Sequence, residues 1–128
     1  MDQKEASATW FEIPVTDMSR AVTFYEQIFQ ISMHTMQMGD DLEMALFPRG
    51  EHKTGGSLIR NPDFYHPSNT QGPLIYLNAN PDLKQVENRV EAAGGKITIH
   101  KRQISPEFGY MAVIEDTEGN RVALFSEN

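Results

Sequence analysis

Glu12 is the acidic residue whose setting most invites chemistry. It lies in Trp10–Val15, a run that alternates as a strand, with Phe11, Ile13 and Val15 on one face and Trp10, Glu12 and Pro14 on the other. A carboxylate sharing a strand face with a tryptophan could serve as a general base or anchor a ligand. Burial raises its pKa unless it is paired, and perturbed groups in clefts are candidates for function. The competing reading is structural, an ion pair or a hydrogen bond to a nearby arginine or backbone amide.

The other reactive residue types form no comparable pattern. His34, His52, His66 and His100 show no His-x-x-x-His or similar spacing, and His52 and His66 sit in polar loop sequence. There is no cysteine, which removes disulfides, thiolate catalysis and thiolate metal sites together. No Ser-His-Asp ordering or paired-carboxylate motif stands out. Gly55-Gly56-Ser57 lacks the lysine and the helix of a phosphate loop and reads as a turn entering a strand. Phe64-Tyr65-His66, Phe108, Tyr110 and Trp10 offer aromatic surface that could line or lid a pocket, or equally serve core or dimer interface. Met33, Met36, Met38 and Met44 could adapt to a ligand or fill an irregular core.

Charge and composition narrow the partners. With 18 acidic against 11 basic residues the net charge is -7, and no basic cluster is present to meet a phosphate backbone, so nucleic acid is excluded as a partner. No apolar run approaches the roughly 20 residues a membrane helix needs, which points to a soluble protein with no membrane partner. The start, MDQKEASATW, is polar and lacks the basic and apolar segments of a secretory signal, so a cytoplasmic location is expected.

The elements that must position Glu12 are written twice along the 128 residues. After the strand Trp10–Val15, Asp17 offers an N-cap, and Met18, Ala21, Val22, Tyr25, Ile28 and Phe29 recur at helical spacing. The strand-like run Leu74–Ala79 is followed by Asn80-Pro81-Asp82, where Asn or Asp can cap and proline suits the first helical turn. Leu83, Val86, Val90 and Ala93 supply the second stripe, and Gly94-Gly95 ends it. Three short strands follow each helix: Ser32–Met38, Leu42–Phe47 and Ser57–Arg60 after the first, Lys96–Arg102, Tyr110–Glu115 and Arg121–Ser126 after the second. The order is βαβββ twice, an internal duplication. A single α+β domain over 1–128 is expected, with modules at 8–60 and 73–127 and a linker at 61–72. Four strands and one helix leave one sheet face uncovered, so a cavity or an interface must meet it.

Phe11-Glu12-Ile13-Pro14-Val15-x-Asp17-x-x-x-Ala21-x-x-Phe24-Tyr25, then Val90-Glu91-Ala92-Ala93-Gly94-Gly95-Lys96, then Gly109-Tyr110 and Asp116-x-x-Gly119-Asn120-Arg121, resemble the vicinal oxygen chelate superfamily. That family includes glyoxalase I, extradiol dioxygenases, fosfomycin resistance enzymes and bleomycin-binding proteins. The resemblance implies two βαβββ modules forming an open, cavity-enclosing mixed sheet of the glyoxalase type, commonly in a homodimer.

In metal-using relatives the resemblance implies a divalent ion held by His, Glu or Gln on cavity-facing strands. Counting seven residues back from the capping aspartates gives Trp10 and Ile75 at two such positions, and the final strand gives Ala123. None of the three offers a lone pair, and Ser57–Arg60, which carries the fourth, has no carboxylate or histidine. No metal and no other cofactor is expected. The cavity set implied is Trp10, Glu12, Ile75 and Leu77 with Phe108, Tyr110, Ala123 and Phe125, and Glu12 is its catalytic candidate. The reading is a small-molecule binding protein, probed against two others: a lyase or isomerase related to glyoxalase I that uses Glu12 or an unrecognised metal site, and an interaction domain whose cavity its own side chains fill.

Overall fold

The computed structural model describes residues 3–128; the first two residues of the polar amino-terminal stretch lie outside them. The elements run β1 (Trp10–Pro14), α1 (Met18–Phe29), β2 (His34–Gln37), β3 (Glu43–Leu46), β4 (Gly55–Arg60), β5 (Tyr76–Asn78), α2 (Leu83–Val90), β6 (Lys96–Ser105), β7 (Gly109–Glu115) and β8 (Arg121–Ser126). Two four-stranded mixed sheets result, ordered β1-β4-β3-β2 and β5-β8-β7-β6, and neither closes into a barrel. In each, the first strand of the βαβββ unit lies parallel to the last and at the sheet edge. Among the described residues, no helix is long and apolar enough to cross a membrane.

The aspartate caps hold their places. Asp17 Oδ1 accepts from the Arg20 N–H at 3.1 Å, and Asp82 Oδ1 from the Lys84 N–H at 2.9 Å. Pro81 lies outside α2, before its cap, and not in the first turn as its sequence position suggests. The β6–β7 hairpin is longer than the spacing predicts, because β6 runs on past Arg102 to Ser105 through several register shifts.

A single buried cluster takes Ile13, Val15, Ala45 and Leu58 from the first sheet and Leu77, Ala112, Ile114, Val122 and Leu124 from the second. It joins them to Ala21, Phe24, Tyr25 and Ile28 of α1 and Leu83, Val86 and Val90 of α2. The two halves therefore meet through their helices, and no strand of one sheet approaches a strand of the other. The helix seam is reinforced by polar groups. Glu118, from the turn before β8, accepts from the backbone N–H groups of Thr16 (2.9 Å) and Asp17 (2.8 Å) and from Arg20 Nε (2.7 Å). It supplies acceptors for N–H groups that the first turn of α1 leaves open. Burial opposes its ionisation, but Arg20 and those N–H groups outweigh it and hold the carboxyl at about 2, against an ordinary 4.5.

Candidate functional site

Strand alternation sorts every site residue by face. Since Ile13 and Val15 pack on the helices, Trp10, Glu12 and Pro14 point to the opposite, helix-free face of the first sheet. Their neighbours there come from β4 and β3: Glu12 lies opposite Ser57, Pro14 opposite Ile59, and Met44 opposite Ile59 on the other side. Gly55 sits beside Trp10, and a Cβ there would lie 3.2 Å from the indole and 2.5 Å from Arg49 Cδ. The missing side chain lets Trp10 lie across the strand with the Arg49 guanidinium 6.0 Å from its ring centroid.

Glu12 is partnered from the segment between the two sheets. Tyr65 Oη donates to its Oε1 at 2.5 Å, and Phe64 packs edge-on against the Tyr65 ring at 4.9 Å. The bond to Glu12, with some burial and the carboxylate charge, raises the Tyr65 hydroxyl above its ordinary pKa. The partner is thus neither an arginine nor a backbone amide but a phenol 53 positions away, which no local pattern announces. Directly across from Glu12, the Ser57 hydroxyl is buried with no hydrogen-bond partner.

The second sheet carries the counterpart face. Met111, Val113 and Ala123 form a separate apolar cluster with Leu74, on the side away from the helices. Phe125 shares that side with Ala123. Ile75 and Leu77, expected in the cavity, instead pack into the helix core, as does Tyr110, whose ring lies 4.6 Å from Lys101 Nζ.

The displacement of Ile75 and Leu77 has one cause. Val15 N–H donates to Ile59 O (2.9 Å) and Ala79 N–H to Phe125 O (2.7 Å), the same bond in each half. Val15 therefore corresponds to Ala79, Trp10 to Leu74, Glu12 to Tyr76 and Ser57 to Ala123. One residue separates Val15 from its capping aspartate and two separate Ala79 from Asp82. Counting back from the caps therefore lands one residue late on β5, and one residue turns a strand over. Phe108 lies at the β6–β7 hairpin tip, 66% exposed, where it lines an open cleft of about 570 Å³ with Ile104 and Phe125. A second open cleft, of about 430 Å³, lies between α1 and the β2–β3 edge at Met18, Val22, Thr35 and Glu43.

The positions where the resemblance implies a metal ion are therefore Trp10, Leu74 and Ala123, with Ser57 as the fourth by symmetry. An indole whose nitrogen only donates, two aliphatic side chains and one neutral hydroxyl do not fit a divalent cation held by carboxylate, imidazole or amide oxygen donors. Among the described residues, no group of three or more His, Asp or Glu is placed to hold one. His34 lies on β2, and His100 on β6 has Nδ1 3.3 Å from Glu87 Oε1.

Solved structures share this arrangement. Glyoxalase I from Zea mays superposes with a TM-score of 0.71 at 18% identity, over 93% of this chain and 44% of that one. The trypanothione-dependent glyoxalase I of Leishmania major gives 0.68 at 17%, over 96% and 88%. A glyoxalase/bleomycin resistance protein from Streptomyces sp. CB03234 gives 0.63 at 22%, over 94% and 100%. At these identities the likeness is one of fold. No functionally curated protein sequence matches the chain. The model of the Glyoxalase/Bleomycin resistance protein/Dioxygenase superfamily matches residues 7–124, and with the duplicated βαβββ halves this places the chain in that superfamily.

Proposed function

We propose that the protein binds a small molecule, without a metal ion, in a cup built between the helix-free face of the first sheet of one chain and that of the second sheet of another. The observation that carries this reading is that the halves of one chain meet through α1 and α2, which leaves both faces without the other for a wall. The edge strands β1 and β5 present large aromatics on those faces, Trp10 at 40% exposure and Tyr76 at 51%. Unpaired edges carrying apolar surface are where a second chain pairs. A homodimer supplies both walls twice by symmetry. Trp10, Glu12 and Ser57 then face Leu74, Tyr76, Ala123 and Phe125 of the second copy.

Native mass spectrometry of protein purified without chelator tests both parts of the reading at once. A species at twice 14.5 kDa with no added metal mass is expected. A monomer at micromolar concentration, or one tightly held divalent ion per chain, sinks it.

A further inference from the structure

Among the described residues, Glu12 is one of three half-buried carboxylates with no ion pair and one hydrogen bond; the others are Glu26, which accepts from the Met33 N–H, and Glu115, which accepts from Asn69 Nδ2. Glu118 is paired with Arg20, Glu87 with Lys84, Asp82 with Lys101 and Glu43 with Arg60. Asp116 carries no ion pair but accepts four hydrogen bonds, from Tyr25 Oη, Asn120 Nδ2 and the N–H groups of Glu118 and Asn120. Glu12 has a single hydrogen bond, from the neutral Tyr65 hydroxyl. An ionised carboxylate offers about four lone-pair sites, so most of its accepting capacity is open. Among the described strand residues it is the one carboxylate on the helix-free face of the first sheet, which also carries Trp10, Pro14, Ile59, Met44 and Leu46, with His34 and Met36 further out on β2.

Aromatic rings surround the open carboxylate. Trp10 lies two residues along the same strand face, with the Arg49 guanidinium 6.0 Å from its ring as a first cation there, and Tyr65, packed by Phe64, meets Glu12 from the linker. Ser57 Oγ and Tyr65 Oη add neutral acceptors. The opposing kind of face carries Arg102 beside Met111 and Arg121, which donates from Nη2 to the Gly72 carbonyl at 2.8 Å while its Nε is buried without a hydrogen-bond partner among the described residues. The chain's net charge of -7 draws cations and repels anions at a distance.

We infer that the ligand of this cup is an aromatic or apolar amine in its ammonium form, with the cationic nitrogen on Glu12 and Tyr65 and its apolar body against Trp10 and the apolar wall of the second sheet. This rests on the cup reading given above and adds the charge of what fills it. Tyr65 is here a positioning residue, holding the carboxylate toward the cup.

Trp10 is the single tryptophan of the chain, so its fluorescence reports occupancy directly. The intact protein is titrated with benzylamine, benzyl alcohol and benzoate, three probes of one shape and different charge. Saturation by benzylamine at a concentration about tenfold or more below that for benzyl alcohol is expected, since hydrogen bonds between charged groups are the strong ones. Glu12→Gln should abolish that preference, bringing the saturation concentrations of the amine and the alcohol together. Equal saturation by the amine and the alcohol overturns the charge assignment and leaves the cup standing. A preference for benzoate also overturns it and assigns the site's charge to the arginines, Arg49 beside Trp10 and Arg102 and Arg121 on the opposing face. If no probe perturbs Trp10, the cup reading fails and the inference with it. The wild-type charge series decides the matter even where Glu12→Gln fails to fold.

Discussion

The Tyr25 hydroxyl donates a 2.6 Å hydrogen bond to Asp116 Oδ2, and both groups are buried. This bond ties α1 of the first half to the turn before β8 of the second, across the helix seam that joins the halves. Burial raises the pKa of both the phenol and the carboxyl. Removing one partner of a buried bond exposes the desolvation penalty of the other.

Tyr25→Phe should therefore cost about 1–3 kcal/mol, with the aromatic packing on Phe24 and Phe47 retained. Urea denaturation checks it: the midpoint falls and the slope is unchanged. A midpoint equal to wild type would mean that Asn120 and the Glu118 N–H suffice for Asp116.

Glu118 gives a pH signature of defined sign. Its carboxyl lies at about 2 in the fold against an ordinary 4.5, so its contribution is fully present above about 4.5 and is lost as pH falls toward 2. Asp116 works the other way, because its raised value makes the folded state gain relative stability on protonation. The difference between wild type and Glu118→Gln isolates the first effect. Stability measured from pH 6 to pH 2 should show the two proteins converging as the solution is acidified. The gap at pH 6 should be roughly 1–3 kcal/mol. A constant gap across this range would remove the ionised Glu118 from the account.

Gly56 tests the close approach under the first sheet. A Cβ there would lie 2.4 Å from the ring of Phe11, which packs on Phe47 with centroids 5.6 Å apart. Gly56→Ala should destabilise by about 1–3 kcal/mol, as overpacking of a filled core does. Calorimetry should show a lower Tm, with Phe11→Leu in the same chain restoring part of the loss by making room. A Gly56→Ala protein as stable as wild type would mean that β1 and the Phe11 ring shift freely.

How much of this was legible in the sequence follows from which signals are local. Asp17 and Asp82 cap helices because a side-chain oxygen reaches an N–H two or three residues on, and the apolar stripes of α1 and α2 repeat within a dozen residues. The faces of β1 and β8 were equally readable, so Trp10, Glu12, Ala123 and Phe125 lie on the helix-free faces. Tyr65 on Glu12 and Glu118 on the α1 N-terminus join residues 53 and about 100 positions apart, and nothing at either end marks the pairing. Glu118 reads in sequence as one more polar residue of a turn. The orientation of β5 was misjudged because its cap stands one residue further off, a difference only the ladder reveals.

That register is itself testable by building a metal site. If Leu74 and not Ile75 is the counterpart of Trp10, then Trp10→His with Leu74→His and Ala123→Glu places two imidazoles and a carboxylate on the helix-free faces. Two imidazoles and a carboxylate are the three-ligand set of many zinc sites, the fourth position being left to water. The control triple carries Ile75→His in place of Leu74→His and turns one imidazole into the helix core, where Ile75 packs. Zinc titration by calorimetry should show tight binding for the first triple and weak binding for the second. The second should also melt earlier, since a polar ring enters the core without a partner. Because the two faces belong to different halves, the stoichiometry carries further information. One zinc per chain, bound only by the dimer, is the outcome the composite cup requires, and tight zinc binding by the Ile75 variant would return the register to the one counted from the caps.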